Sequence, residues 1–299
     1  AIDLKARADV DTVPEIQALA DAAAAVIAGA GTGTGPTVEQ LTGLGIPGVT
    51  PGNIDQIVKA IKDTADDGTG VDTLPEVQAL VAKINNAIDA IQAAAQSDAA
   101  TETSPSTSDY VNAGVSGVDA NNLPSINSAL NTKAVDGAAV DTTPEIQAVV
   151  DSYQAILNAA DGTRDVDAKP TAQQYAAIGV SGMDTPAELG LLGDVIDAKT
   201  KADVDTVPEV QALADAVAAV MRGAAGGTPP TLDELSKLGL TGLNPAVLGR
   251  LQDAIKATAD DGSGVDTVAE IQALLNTANA TVTVPPGTGV TLISGYAQA

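Results

Sequence analysis

The stretch "DDGTGVDTLPEVQAL" at residues 66–80 returns almost unchanged as "DDGSGVDTVAEIQAL" at residues 260–274. Shorter relatives stand at 9–19 ("DVDTVPEIQAL"), 136–149 ("DGAAVDTTPEIQAV") and 203–213 ("DVDTVPEVQAL"). Each copy joins an acidic loop to a segment whose apolar residues recur at helical spacing. The chain is therefore a repeat array, and the role of the acidic loop decides what kind of protein it is.

A second repeated feature marks where the units open. The segments "PTVEQLTGLGIPGV" at 36, "PSTSDYVNAGVSGV" at 105, "PTAQQYAAIGVSGM" at 170 and "PTLDELSKLGLTGL" at 230 share two glycines at matching positions. A longer period is also present, because residues 7–26 match residues 201–220 at 17 of 20 positions. This pattern indicates that several units were copied as a block.

Each unit is predicted to form three helices, because helix-capping residues precede each segment of helical apolar spacing. The predicted caps of the first helices are Thr37, Ser106, Thr171 and Thr231; those of the second are Thr50, Asp119, Asp184 and Asn244; those of the third are Thr73, Thr142, Thr206 and Thr267. A Glu, Gln or Asp follows three residues after every first and third cap, which is the capping-box pattern. Pro51 and Pro245 stand at the predicted first position of their second helices.

The predicted fold is all-α, a tandem array of small three-helix bundles with a short β-like C-terminal tail. Lone helices of this length are marginal in water, so the three helices of a unit must pack on one another. We expect a partial unit at 1–35 (the end of helix 2 plus helix 3), three-helix units at 36–104, 105–169, 170–229 and 230–280, and a β-hairpin-like tail or the start of a further domain at 281–299. Because residues 1–15 line up with residues 195–209, we also expect the chain to be a fragment of a longer array.

The composition excludes several classes of function. Cys and His are both absent, which removes disulfides, thiolate or imidazole zinc sites, Cys nucleophiles and Ser-His-Asp triads. The 39 acidic and 14 basic residues give a net charge of −25, and such a surface repels nucleic acids and anionic lipid. No apolar run reaches the length of about 18 residues that a membrane-spanning helix needs. We therefore expect no enzyme, no nucleic-acid partner and no membrane insertion.

The acidic loop has two interpretations. In the first, its residues organise helix ends: Gly68 ends one helix, Thr73 caps the next, and Glu76 closes the capping box. In the second, the loop binds Ca²⁺ through hard carboxylate oxygens. The candidate ligands are Asp66, Asp67 and Asp72 in one copy and Asp260, Asp261 and Asp266 in the other. The spacing does not match the EF-hand loop, no further cofactor is indicated, and both interpretations stay open.

The core of a unit resembles a known module. "NAGVSGVDANNLPSINSAL" and "VDTTPEIQAVVDSYQAILNAA", both within residues 112–160, resemble the three-helix GA-type albumin-binding module of bacterial surface proteins. The loop between the second and third helices is longer and richer in Asp here, so no albumin-binding residue is carried over. The array as a whole resembles the repeat region of large, acidic, cysteine-free adhesins that Gram-negative bacteria export. That resemblance implies an extracellular or cell-surface location and repeats that extend a stalk.

These observations predict a structural repeat segment of an extracellular bacterial adhesin or filament, acting as a stalk or spacer. Its partners would then be neighbouring repeats or filament subunits. The alternative is a multivalent protein-binding array, in which exposed faces of the second and third helices hold a host or cell-surface protein. The face opposite the core carries Lys59, Lys62, Gln78 and Asn85, which the pattern otherwise predicts to be ordinary solvated surface.

Overall fold

The computed structural model describes residues 2–31, 33–65, 67–95, 104–163 and 169–280. Within these ranges the protein is all-helical, with thirteen α-helices and no β-strand, which confirms the predicted all-α class. The β-like tail predicted at 281–299 lies outside the described residues. The helices are α1 (Val13–Gly29), α2 (Val38–Gly43), α3 (Ile54–Lys62), α4 (Leu74–Ala95), α5 (Thr107–Asn112), α6 (Leu123–Leu130), α7 (Thr143–Ala159), α8 (Ala172–Ala177), α9 (Pro186–Asp197), α10 (Val207–Ala224), α11 (Leu232–Lys237), α12 (Leu248–Lys256) and α13 (Val268–Ala280).

The predicted starts of the first and third helices of each unit are confirmed. Every one of these helices begins one residue after its predicted cap. In α2, the hydroxyl of Thr37 accepts the amide of Gln40 at 3.3 Å, and the side-chain oxygen of Gln40 accepts the amide of Thr37 at 2.8 Å. These reciprocal bonds satisfy two amides that a helix start otherwise leaves without a partner.

The second helices begin later than the sequence predicts. Helix α3 starts at Ile54 rather than just after Thr50, because the side chain of Asn53 first closes a separate turn. Its oxygen accepts the amide of Thr50 at 2.7 Å, and its nitrogen donates to the carbonyl of Gly48 at 2.7 Å. Pro51 therefore lies in this turn and not in the helix. Helices α6, α9 and α12 likewise begin later than predicted from the caps Asp119, Asp184 and Asn244, at Leu123, Pro186 and Leu248, and Pro245 therefore precedes its helix as Pro51 does.

The chain folds into two compact halves, Ala1–Asp151 and Ser152–Ala299. In the first, α1 packs against the short helices α2 and α3 that follow it. Helix α4 packs against α3 before it and against α5 and α6 after it, and also against the short 3₁₀ turn Gly137–Ala139. In this half of the chain, the long helix α4 thus packs against short helices that precede it and short helices that follow it in the sequence.

The second half of the chain, Ser152–Ala299, repeats this arrangement. Helix α10 packs along α9 before it and against α11 and α12 after it. Helix α13 packs against α12 and touches α9. The short 3₁₀ turn Lys201–Asp203 leads from α9 into α10, at the place that Gly137–Ala139 occupies between α6 and α7.

The core is aliphatic, with three tyrosines in it. Along α4, Val77, Val81, Ile84, Ile88 and Ile91 are buried as their helical spacing predicts. Tyr110, Tyr153 and Tyr175 are fully buried, and burial raises the pKa of each phenol above its ordinary value. Buried tyrosines in these positions are packing residues.

The hydroxyls of two matching tyrosines have different surroundings. The hydroxyl of Tyr110 donates to the side chain of Asn127 at 2.8 Å, whereas that of Tyr175 is buried without a hydrogen-bond partner. Leu192 stands at the position equivalent to Asn127 and offers no acceptor. The unit that contains Tyr175 has therefore kept the aromatic ring and lost the partner of its hydroxyl.

Candidate functional site

The acidic loops begin helices, and the same carboxylate contact recurs in all five copies. In the first long copy, one oxygen of Glu76 accepts both the amide of Thr73, at 2.9 Å, and the hydroxyl of Thr73, at 2.7 Å. The matching pairs are Thr12 with Glu15, Thr142 with Glu145, Thr206 with Glu209, and Thr267 with Glu270. The hydroxyl and amide of Thr73 lower the pKa of Glu76. The glutamate is thus held ionised at the positive end of its helix.

The aspartates at the start of the loops stabilise turns. One oxygen of Asp67 accepts the amide of Thr69 at 3.0 Å and its hydroxyl at 2.8 Å. Asp261 accepts the amide of Ser263 at 3.0 Å in the second copy. These amide contacts lower the pKa of both carboxyls. An aspartate that accepts amides two residues ahead is a turn-forming element.

The aspartates that precede the caps lie close to the capping glutamates. A hydrogen bond with Glu76 and the repulsion between the two groups raise the pKa of Asp72. For Asp266, burial is the largest cause of the raised pKa, followed by the contact with Glu270. In these two loops, the aspartate next to the cap therefore takes up a proton more readily than a free aspartate does.

The described residues do not gather the predicted calcium ligands into one group. No three acidic side chains in the described ranges are placed to hold a metal ion. Ca²⁺ takes six to eight oxygen ligands, whereas the carboxyls described above are bonded to amides and hydroxyls of their own loops. Asp260 and Asp261 are exposed and border a groove of about 460 Å³ together with Arg222. Asp66 lies outside the described residues, and calcium binding stays a prediction.

A glutamine contact joins three of the long helices, α7, α10 and α13, to a distant loop, and the sequence pattern does not predict it. The side-chain oxygen of Gln147 accepts the amide of Ser116 at 2.8 Å, while its nitrogen donates to the carbonyl of Ser116 at 3.2 Å. Gln211 makes the same two bonds with Ser181, at 2.9 and 3.3 Å, and Gln272 makes them with Thr241, at 2.9 and 3.0 Å. Each pair spans about 30 residues of sequence, so the contact fixes the loop after the first helix of a unit onto the third helix.

The repeat unit at 36–104 shows why the loop residue at the position of Ser116 needs an amide hydrogen. Pro47 occupies the position of Ser116 and has no amide hydrogen to donate. Gln78 instead makes a single long bond, 3.4 Å, to the carbonyl of Gly45. Asn85 adds two contacts beside it: its side-chain nitrogen donates to the carbonyl of Gly48 at 3.0 Å, and its side-chain oxygen accepts the side-chain nitrogen of Asn53 at 2.8 Å. The equivalent Asn279 donates to the carbonyl of Gly242 at 3.2 Å where Gln272 keeps both of its bonds, so the asparagine contact accompanies the glutamine contact and does not replace it.

Gln78 and Asn85, which the sequence pattern predicts to lie on an ordinary solvated face, are half-buried. Both side chains hydrogen-bond within the fold, and Lys59 pairs with Asp63 at 2.8 Å on α3. The usable signal was the glutamine itself, which stands two residues after the capping glutamate in every copy of the motif. A neutral side chain that recurs at one position of a helix face favours a specific contact, although Gln17 of α1 donates to Asp21 of its own helix instead.

None of the helices in the described ranges combines the length and apolar character needed to cross a membrane. No protein-family model matches the chain, and neither the curated proteins nor the solved structures include a significantly similar one. The observations that bear on function are thus the capping carboxylates, the glutamine contacts and the packing of long helices between short ones.

Proposed function

We propose that the chain is a structural repeat segment of an extracellular bacterial adhesin or filament, acting as a stalk or spacer. The observation that carries the proposal is the packing of α4 and α10, each of which supports short helices both before and after it. Helices shared in this way join one repeat to the next through buried side chains rather than through free linkers. Such continuity is what a spacer needs in order to transmit position or load.

The repeated polar residues support the same proposal. The capping glutamates, the turn-forming aspartates and the glutamines all make hydrogen bonds that hold helices or loops of the array. In this proposal the repeats are three-helix bundles in tandem, the partners are neighbouring repeats or filament subunits, and the location is the bacterial cell surface. It assigns no catalytic residue.

Small-angle X-ray scattering tests the spacer proposal. A compact globule of this length has a radius of gyration of about 19 Å, and we expect the measured value to be well above that figure. A value near 19 Å at low concentration and high salt would contradict the proposal.

The alternative of a multivalent binding array makes a different prediction. Single units such as residues 105–169 would retain a specific host or cell-surface protein in a pull-down, whereas a spacer would retain none. Two of the four residues on the proposed binding face, Gln78 and Asn85, make hydrogen bonds within the fold and are therefore less available to a partner.

A further inference from the structure

An apolar stripe of α1 is uncovered, although the same stripe of α10 is buried. Val13 and Ile16 are 79% and 44% exposed, whereas the equivalent Val207 and Val210 are 3% and 0% exposed. Ala20 is also exposed, and its equivalent in α10 is buried. Because residues 7–26 and 201–220 match at 17 of 20 positions, the difference comes from the surroundings and not from the helices.

The equivalent surroundings of α10 are found in the second half of the chain, Ser152–Ala299. Helix α9 packs along α10 and is apolar on its inner side, where Leu191, Leu192, Val195 and Ile196 are all fully buried. The sequence "AIDLKARADVDTVPE" at 1–15 lines up with "VIDAKTKADVDTVPE" at 195–209, so Ile2 corresponds to Ile196 near the end of α9. Ile2 is 54% exposed, in contrast to the buried Ile196. A helix of the α9 type would therefore bury both the uncovered stripe of α1 and the side chain of Ile2.

We propose that Val13, Ile16, Ala20 and Ala23 form a docking surface for an amphipathic helix of the α9 type, supplied by an adjoining repeat of the same kind. This inference goes beyond the proposed function, because it holds for a spacer and for a binding array alike. The recognition is apolar and shape-based: the stripe carries large residues at Val13 and Ile16 and small ones at Ala20 and Ala23. Ala23 is half-buried, and α10 has Val217 at that position, so the match between the two stripes is loosest there.

The test extends the chain with its own repeat. Residues 170–194 are joined ahead of Ala1, so that the added α8 and α9 sequence continues directly into Ile2. We expect amide hydrogen exchange of residues 13–20 to slow by at least about tenfold in the extended chain, since covered helices open less often than uncovered ones. The control is the same extension carrying Leu191→Asp and Leu192→Asp in the added segment only, which should leave exchange at its original rate.

The outcomes separate the proposal from its alternatives. Equal exchange rates in the extended chain and the control, with α2 and α3 still protected, would overturn the proposal. A dimer of the unextended chain that Ile16→Asp dissociates would also overturn it, because a second copy and not an α9-type helix would then occupy the stripe. Retention of slow exchange in the control would show that the leucines are not the recognised residues and would likewise count against it.

Discussion

Replacing Val207 with alanine is expected to destabilise the protein by about 2 kcal/mol, whereas the same replacement at Val13 is expected to cost less than about 0.5 kcal/mol. Both valines stand in the sequence "DTVPE", at the first position of a long helix and directly after a capping threonine. Helix propensity and capping are therefore equal at the two sites. Burial is what differs, because the side chain of Val207 is 3% exposed and that of Val13 is 79% exposed.

The magnitude follows from the atoms removed. Valine to alanine deletes two methyl groups, and each buried group of this size contributes about 0.8 kcal/mol, to which a small cavity term is added at Val207. Urea denaturation followed by far-ultraviolet circular dichroism gives the change in the free energy of unfolding. Hydrogen exchange of peptides from α1 and α10 shows whether the loss is local, as a repeat array permits. Equal losses at the two positions, or a larger loss at Val13, would refute the reasoning from burial.

Four further predictions concern the hydrogen bonds and turns. Tyr175→Phe should leave the free energy of unfolding unchanged or raise it by up to about 1 kcal/mol, because it removes a buried hydroxyl without a partner. Tyr110→Phe should lower the free energy of unfolding by about 1–3 kcal/mol, because it removes the hydrogen bond to Asn127. Urea denaturation of the two variants provides the comparison. Gly45→Ala should cost about 1–2 kcal/mol, because φ is +83° there and nothing crowds the added carbon, while Gly43→Ala in α2, equally uncrowded, should cost nothing in the same assay. The pKa of Glu234 is lowered, chiefly by the amide of Thr231, so the stability that this carboxylate contributes is present above the ordinary pKa of 4.5 and is lost as the pH falls below it. Glu234→Gln should therefore flatten the acid limb of a plot of melting temperature against pH. An unchanged acid limb would be contrary to expectation. If the acidic loops serve only as caps, millimolar Ca²⁺ and a chelator should give the same melting temperature, and a rise with Ca²⁺ would favour the calcium interpretation.

The sequence correctly predicts those helix starts that depend on hydrogen bonds between residues close together in the chain. The capping boxes of the first and third helices depend on two residues three positions apart, such as Thr73 and Glu76, so the sequence contains all the information needed. The second helices were placed too early because Asn53 bonds backward to Gly48 and closes a turn before the helix begins. Thr50 and Pro51 look like the start of a helix, and they are the start of that turn.

Contacts between distant residues were beyond the reach of the same patterns. Gln147 and Ser116 are 31 residues apart, and nothing in the spacing of either segment indicates that they meet. The exposure of α1 is a further case, because its sequence is nearly that of α10 while its neighbours are different. A repeated sequence predicts the element and its capping; which partner covers it depends on the segment packed beside it.

The chemistry of the glutamine contact explains how so acidic a chain fastens a loop to a helix within each of three repeats. A side chain that fixes a loop residue through both its amide and its carbonyl must accept and donate at once, which a carboxylate and an ammonium group cannot do and a neutral amide can. The carboxylates are placed instead at helix starts, where the unpartnered amides and the helix dipole favour negative charge. Where a carboxylate does join two helices, at Asp194 of α9, it accepts the amide of Val268 at the start of α13 and pairs with Lys169. At Pro47, where the loop offers no amide, Gln78 bonds only to the carbonyl of Gly45, and the neutral side chain of Asn85 bonds to the carbonyl of Gly48 beside it.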